Sequence, residues 1–243
     1  MEFEDEAFLL SARSHGENGA IAELLTLSHG RYAAFIAGGG SRRIRPLLQP
    51  GTRVRARFRA RTSEQLGSAT LEPAGSDPSD LFDDPLALAG LASAATVAAG
   101  VLPEREPQPG AFVAFEALGG ALRHDDIWPA VYVRFEAGIL QALGFGLDLS
   151  RCAATGAVDD LVWVSPRTGR AVSRAAGEPY RDRLLRLPPF LLSAQGSLSP
   201  GDIGDGLALT GHFLDRCLFS ALNRPLPAAR VWLVDKLTEA GRL

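Results

Sequence analysis

Alternating arginines dominate one short stretch of the chain and constrain its local structure more than any other feature. Arginine occupies positions 53, 55, 57, 59 and 61, and the residues between them are Val54, Ala56, Phe58 and Ala60. A period of two is that of a β-strand, in which successive side chains point to opposite faces. We therefore predict a strand over Thr52–Arg61, with arginines on one face and apolar residues on the other.

The distribution of charge along the chain isolates this stretch. The 243 residues carry a net charge of −3, yet residues 31–61 contain nine arginines and no acid. Residues 1–30 hold six acids and one arginine, and residues 62–243 hold fifteen basic and twenty-two acidic residues. A strand would spread its five guanidinium groups over roughly 27 Å. Like charges in such a row repel one another, and the row suits a polyanion whose phosphates neutralise it and release counterions.

We therefore expect the basic segment to bind nucleic acid, with Tyr32 and Phe35 placed to stack on bases. The expected DNA-binding residues are Arg31, Tyr32, Phe35, Arg42, Arg43, Arg45, Arg53, Arg55, Arg57 and Arg59. Two alternatives stay open. One is a solvated barrel face in an arginine-rich chain, and the other is a scaffold whose arginine face binds an acidic protein.

Turn signals and hydrophobic periodicity divide the chain into a β region and a helical region. Several short apolar runs within residues 6–72 predict a small barrel, and Pro73–Ser79 has the composition of a linker. Asp84 followed by Pro85 predicts the start of a helix, and helical spacing recurs as far as Ala221. The predicted domains are residues 1–77 and 78–243.

The longest uncharged run is Leu86–Leu102, whose seventeen residues are at the lower edge of a membrane span. Seven of them are alanine, so we predict a buried helix and no membrane partner. The two cysteines, Cys152 and Cys217, are too few for a disulfide scaffold. The acidic N-terminus lacks a signal-peptide pattern. We expect a cytoplasmic, nucleoid-associated protein.

Catalytic motifs are missing from the sequence. It contains no Gly-x-Ser-x-Gly, no His-Glu-x-x-His and no Walker-type phosphate loop. We expect a binding protein with no catalytic residues. A hydrolase or nuclease that uses Asp83, Asp84, Asp125 or Asp126 with a divalent ion is a weaker alternative, because such aspartates commonly cap helices.

Residues 150–176 have the layout of a zinc ribbon, with positions 152, 155, 173 and 176 where four cysteines would hold the metal. These positions are Cys152, Thr155, Ser173 and Ala176. One thiolate cannot build a tetrahedral site. We predict a ribbon-like β insertion that has lost its metal ligands, and therefore no cofactor.

A series of different short motifs is distributed along nearly the whole chain. They are Gly16-Glu17-Asn18, Leu24-Leu25-Thr26, His29-Gly30-Arg31, Leu48-Gln49-Pro50-Gly51, Gln65-Leu66-Gly67, Arg134-Phe135-Glu136, Leu143-Gly144-Phe145, Leu147-Asp148, Cys152-x-x-Thr155 and Ser165-Pro-x-x-Gly169. In this order and spacing they resemble the RecO family of bacterial DNA repair and recombination mediators. The resemblance implies an α+β fold: an N-terminal OB-fold barrel, then a mostly helical domain with a small zinc-ribbon-like insertion.

The resemblance also implies a function and partners. The family binds single- and double-stranded DNA, anneals complementary strands and helps to load the recombinase RecA onto strands coated with single-stranded DNA-binding protein (SSB). The implied protein partners are RecR, RecF, the SSB C-terminal tail and, indirectly, RecA. An acidic tail would need an apolar groove rimmed by cations. The candidate partner-binding residues are Arg123, Arg134, Arg181 and Arg183.

Overall fold

The computed structural model describes residues 1–62, 65–75, 78–193 and 196–243. These residues form two compact units, 1–123 and 124–243. The first unit begins with five strands: β1 (Glu2–His15), β2 (Gly19–Thr26), β3 (Gly30–Ala37), β4 (Arg53–Arg59) and β5 (Gly67–Pro73). They close into a barrel in the order β1-β2-β3-β5-β4. Only β3 and β5 pair in parallel, and the expected OB-fold barrel is confirmed.

The alternation that predicted β4 is confirmed. Val54, Ala56 and Phe58 face the barrel core, whereas the arginines between them point outward. The strand ends at Arg59, so Arg61 lies beyond it and does not extend the row. From here on, the arginine row means Arg53, Arg55, Arg57 and Arg59.

Beyond the end of the β1–β4 pairing, β1, β2 and β3 continue as three paired strands, and β5 still pairs with Ala34 and Phe35 of β3. β4 pairs with β1 from Glu2 to Phe8, and the β1–β2 register shifts between Leu9 and Ser11. Beyond that shift, residues 11–15 of β1 pair with 19–23 of β2, which pair with 33–37 of β3. We call these fifteen residues the three-stranded extension. Residues 38–48, which we call the basic loop, follow β3 and end in a 3₁₀ turn over Arg45–Leu48.

Two helices complete the first unit, α1 (Pro85–Val101) and α2 (Pro109–Ala121). The predicted start of α1 is confirmed, because the Asp84 carboxylate accepts hydrogen bonds from the backbone N–H groups of Leu86 and Ala87. Phe8 of β1 contacts Phe112 and Phe115 of α2, with ring centroids 5.0 and 5.3 Å apart. The compact unit therefore includes both helices, and the boundary at 77/78 stays a prediction.

The long uncharged run is α1, and it is largely buried, as predicted. None of the described helices has both the length and the apolar character needed to cross a membrane.

The second unit is mostly helical. Its longer helices are α3 (Trp128–Ala142), α5 (Asp202–Phe213) and α6 (Ala228–Glu239), and α5 continues into a π-helical turn over Leu214–Phe219. A small sheet in the order β7-β6-β8 consists of β6 (Leu161–Val164), β7 (Ala171–Ser173) and β8 (Leu185–Arg186), with the short helix α4 (Arg174–Gly177) after β7. Further 3₁₀ turns cover Pro78–Leu81, Glu178–Arg183, Pro189–Leu191 and Ser220–Leu222. Two of its strands, β6 and β7, lie within the predicted insertion of residues 150–176, and β8 lies beyond it.

The residues at the former ligand positions do not fit zinc. The buried Cys152 Sγ accepts hydrogen bonds from the backbone N–H and the hydroxyl of Ser173, at 3.3 and 3.4 Å. Ala176 lies in α4 and offers no ligand atom. In the part of the chain that the structure describes, no three histidine, cysteine, aspartate or glutamate side chains come together as a metal site. A thiol with two neighbouring hydroxyls falls short of the four ligands of a structural zinc site.

Candidate nucleic-acid interface

The arginine row of β4 faces a row of glutamates on β1. The antiparallel register places Glu2, Glu4 and Glu6 opposite Arg59, Arg57 and Arg55. Arg59 Nε lies 2.9 Å from Glu2, and Arg57 Nη2 lies 2.8 Å from Glu4. The same Glu4 is 3.7 Å from Arg55 Nε.

Arg53, at the end of the row, is held by two carboxylates. Its Nη2 donates to Glu6 at 2.5 Å, and its Nη1 donates to Glu116 of α2. The hydrogen bond to Glu6 is the main reason why the pKa of Arg53 is raised, and the pKa of Arg57 is raised chiefly by its hydrogen bond to Glu4. The prediction that the arginines of the row repel one another without compensation is therefore wrong. The compensating acids lie outside residues 31–61, on β1 and α2.

Arg31 and Tyr32 are built into the barrel. The Arg31 side chain is only 14% exposed and lies 3.5 Å from both Glu23 and Glu104. Its Nε also donates to the Leu102 carbonyl oxygen. The Tyr32 ring packs against the rings of Phe3 and Phe58, with centroids 5.1 and 5.3 Å away. Both residues thus have a clear structural role.

A second basic group has no such compensation. Arg13, Arg42, Arg43 and Arg45 have no carboxylate partner within the described residues. Arg13 and Arg45 line the same open depression of about 370 Å³, together with Ser14, Gly19 and Gly39. The depression lies between the three-stranded extension and the basic loop.

Sequence reasoning missed Arg13 and His15. Both occur in the acidic N-terminal segment, where a net-charge count hides a single cation. Their spacing could have indicated a shared surface, because two residues that are two positions apart in a strand lie on the same face. In the structure this face also carries Ile21 and Phe35, through the pairs Arg13–Ile21 and Ile21–Phe35.

Phe35 lies on the outer face of the extension. A Cβ atom at Gly19 would approach Phe35 Cε2 to 2.3 Å, so the ring lies directly against the glycine backbone. The His15 ring stands beside it, with centroids 6.0 Å apart and planes at 77°. Of the expected DNA-binding residues, Phe35 therefore shares the outer face of the extension with Arg13 and His15, and Arg45 lines the depression next to Arg13.

The four candidate partner-binding arginines belong to different compact units. Arg123 belongs to the first unit, where it pairs with Asp80. Arg134, Arg181 and Arg183 belong to the second unit. Arg181 pairs with Glu178 at 3.3 Å, whereas Arg183 has no carboxylate partner across residues 1–62, 65–75, 78–193 and 196–243.

Arg134 stands at an apolar groove on α3. Its guanidinium donates hydrogen bonds to the carbonyl oxygens of Phe190 and Ser193. The groove has a volume of about 210 Å³, and its described lining residues are Asp126, Ile127, Ala130, Val131, Arg134, Phe190, Gly196 and Leu198. An apolar floor with a cation at its rim was the expected environment for an acidic tail.

The sequence matches two family models, on either side of a short unmatched segment. Residues 1–74 match the model described as Recombination protein O N terminal, and residues 83–225 match Recombination protein O C terminal. The chain belongs to the RecO family.

Full-length RecO relatives agree with this assignment. The chain is 74% identical over 243 residues to the DNA repair protein RecO of Phenylobacterium zucineum (strain HLK1), with all of both chains covered. It is 68% identical to that of Caulobacter sp. (strain K31), again over both whole chains. For Rhodospirillum centenum (strain ATCC 51521 / SW) the identity is 53%, over 99% of this chain and 96% of the relative. The resemblance seen in the motifs is confirmed, and these relatives support a role in DNA repair.

Proposed function

We propose that this RecO chain binds single- and double-stranded DNA, with first contact at the three-stranded extension and the basic loop. One observation supports this placement above the others. Arg13, Arg42, Arg43 and Arg45 have no carboxylate partner in the described residues, whereas each member of the arginine row has one. A guanidinium without a partner gains the full attraction of a phosphate, and one in an ion pair must first exchange its glutamate.

The arginine row is then a second DNA-binding surface, which binds phosphates more weakly. Arg55 is the least tightly held member, at 3.7 Å from Glu4, and it is well exposed. A phosphate that displaces Glu4 would also free Arg57, because one carboxylate serves both arginines. The row therefore contributes once DNA is already bound, and its contribution grows as more glutamates are displaced.

Contact through phosphates fits a mediator that anneals strands. Phosphate contacts carry no sequence information, and they leave base edges free to pair with a complementary strand. The further steps that we propose are annealing, cooperation with RecR and RecF, and assistance in loading RecA onto SSB-coated single strands. The protein has no catalytic step in this scheme, so labelled DNA incubated with protein and magnesium should stay intact.

Recruitment to SSB is assigned to the apolar groove on α3. Arg134 already donates to two carbonyl oxygens, which fixes its guanidinium at the groove. The apolar residues Ile127, Val131 and Phe190 would take apolar side chains of the tail. The tail's carboxylates would then lie next to Arg134.

The test of DNA binding measures affinity against salt concentration for a single strand and a duplex. Replacing Arg13, Arg42, Arg43 and Arg45 together by alanine removes up to four phosphate contacts. The slope of log affinity against log salt for the single strand should fall by about three units. The matched control replaces Arg55, Arg57 and Arg59 and should lower the slope by less. A larger effect in the control would move the main DNA path to β4.

The competing scaffold function makes a different prediction in the same assay. If the cations serve an acidic protein, an acidic polypeptide such as polyglutamate should bind more tightly than a single strand of equal charge. DNA should then displace it poorly. Tighter binding of DNA at every salt concentration would support the mediator.

A further inference from the structure

We propose that Phe35, with the His15 ring beside it, is a stacking platform for an unpaired base, and that it gives the chain a preference for single strands over duplex. The inference rests on the proposed DNA binding by the extension, and adds to it the element that distinguishes the two forms of DNA. Arginine contacts to phosphates serve both forms, so the preference needs a different kind of contact.

The register of three strands sets the position of the platform. Phe35, Ile21 and Arg13 lie opposite one another across β3, β2 and β1, so all three side chains are on the outer face. The neighbouring residues Ala34 and Ile36 point the other way, into the barrel core. Phe35 is therefore excluded from the core by the pleat of its own strand, although it is a large apolar residue.

Gly19 fixes the orientation of the ring. A Cβ atom there would lie 2.3 Å from Phe35 Cε2 and 2.7 Å from Cζ, so any other residue would push the ring away from the strand. With glycine, the ring lies on the backbone of β2 and is only partly covered. A ring supported on one side and accessible to solvent loses little conformational freedom when a base stacks on it.

A second ring and an arginine share this face of the extension. The His15 ring is nearly perpendicular to Phe35, at 6.0 Å between centroids, and forms a wall at its edge. Arg13 is on the same face, and it also lines the depression that contains Arg45. A strand whose base rests on Phe35 would thus have guanidinium groups within reach of its neighbouring phosphates.

Unpaired bases suit this platform better than paired ones. Every base has an aromatic face, so stacking on a side chain is largely independent of sequence. In a duplex the inner bases already stack on both sides, and reaching Phe35 would require their unstacking. The contact is therefore available to a single strand and denied to duplex.

The first test replaces Phe35 by leucine, which keeps an apolar cover over Gly19 and removes the aromatic face. Affinity for a single-stranded oligonucleotide should fall by about five- to tenfold with an unchanged salt slope. Affinity for duplex of the same length should not change. The matched control is Phe82→Leu, since Phe82 is a 55% exposed phenylalanine of the same compact unit. It should leave both affinities unaltered.

A second variant displaces the ring without removing it. Gly19→Ala introduces a Cβ that collides with Phe35 and approaches the His15 carbonyl oxygen to 2.8 Å. The loss should again be confined to single strands. Thermal unfolding of both variants must first show that the barrel is folded.

A third measurement uses the unaltered chain. A single strand carrying 5-iodouracil should photocrosslink to Phe35 or His15, and for Phe35 the crosslink should lie in the tryptic peptide of residues 32–42. Crosslinks confined to other aromatic residues would overturn the inference. So would equal losses on single strands and duplex in the Phe35→Leu variant. No binding by the unaltered chain would instead remove the proposed function itself.

Discussion

Arg230 and Glu136 form a bidentate ion pair in the interior of the second unit. Arg230 Nε lies 2.7 Å from Oε1, and Nη2 lies 3.0 Å from Oε2. The two side chains are only 6% and 0% exposed. Tyr132 and Thr210 also donate to the same carboxylate. Burial lowers the pKa of Arg230, but Glu136 more than offsets this and raises it.

Replacing one partner of this ion pair should lower the free energy of unfolding far more than replacing both partners by apolar residues. Arg230→Met leaves Glu136 buried without its cation and should lower the free energy of unfolding by about 3–5 kcal/mol. Replacing both residues by methionine should recover much of that loss, since no charge is then stranded. Urea unfolding of the two variants measures the difference. A double variant as unstable as the single one would show that Glu136 does not depend on Arg230.

The division into compact units predicts which fragments fold. A fragment of residues 124–243 should be soluble and helical by circular dichroism, because it keeps its own core. A fragment of residues 78–243 starts with α1 and α2 but lacks β1, so Phe112 and Phe115 lose their contact with Phe8. It should bind a hydrophobic dye and aggregate. If the longer fragment proved the more soluble, the domain boundary would lie at 77/78.

Local patterns in the sequence predicted local structure well. The alternation of Arg and apolar residues predicted β4, and Asp84 with Pro85 predicted the start of α1, because a strand period and a helix cap each depend on neighbouring residues. The pairing of Arg57 with Glu4 depends instead on the register between two strands about fifty residues apart. A count of charges along the chain cannot supply that register.

The residues of the candidate site were also predicted only where they are neighbours in the sequence. Arg42, Arg43 and Arg45 are predicted to bind DNA because they lie close together in a segment without acids. Arg13 was missed because it lies in residues 1–30, where acids outnumber bases, although it lines the same depression as Gly19 and Arg45. Phe35 was proposed for stacking together with Tyr32, but only strand register separates the outward Phe35 from the inward Tyr32.

Replacing three of the four arginines of the arginine row should weaken the barrel slightly. Alanine at Arg55, Arg57 and Arg59 deletes the ion pairs with Glu2 and Glu4 and leaves these two glutamates unopposed, whereas Glu6 keeps its ion pair with Arg53. These pairs are exposed, so the melting temperature should drop a little at low salt and the drop should shrink at high salt. Phe58→Ala, from the buried face of the same strand, should cost about 3–5 kcal/mol at any salt concentration. A triple variant more stable than the unaltered chain would show that repulsion between the arginines outweighs their ion pairs.

Purified protein should contain no stoichiometric zinc. Thr155, Ser173 and Ala176 occupy three of the four positions that a ribbon would use, and the remaining thiol is already hydrogen-bonded to Ser173. Elemental analysis after dialysis without chelator should find well under one zinc per chain. About one zinc per chain would contradict the prediction and require ligands other than these four.

The stability of the second unit should depend on pH through Cys152. Burial raises the pKa of its thiol, but hydrogen bonds from Ser173 and Thr155 outweigh burial and lower the pKa from 9.0 to about 6. A folded pKa below the unfolded one stabilises the fold at high pH. The contribution is complete above about pH 9 and is lost as the pH falls through 6.

The free energy of unfolding should therefore include a rise between pH 6 and 9 that Cys152→Ala removes. The matched control is Cys217→Ala, which changes the other free cysteine and should keep the rise. Urea unfolding at pH 6 and pH 8.5 compares the three proteins. If the unaltered chain and Cys152→Ala show the same pH dependence, the thiol is protonated throughout this range and acts only by packing.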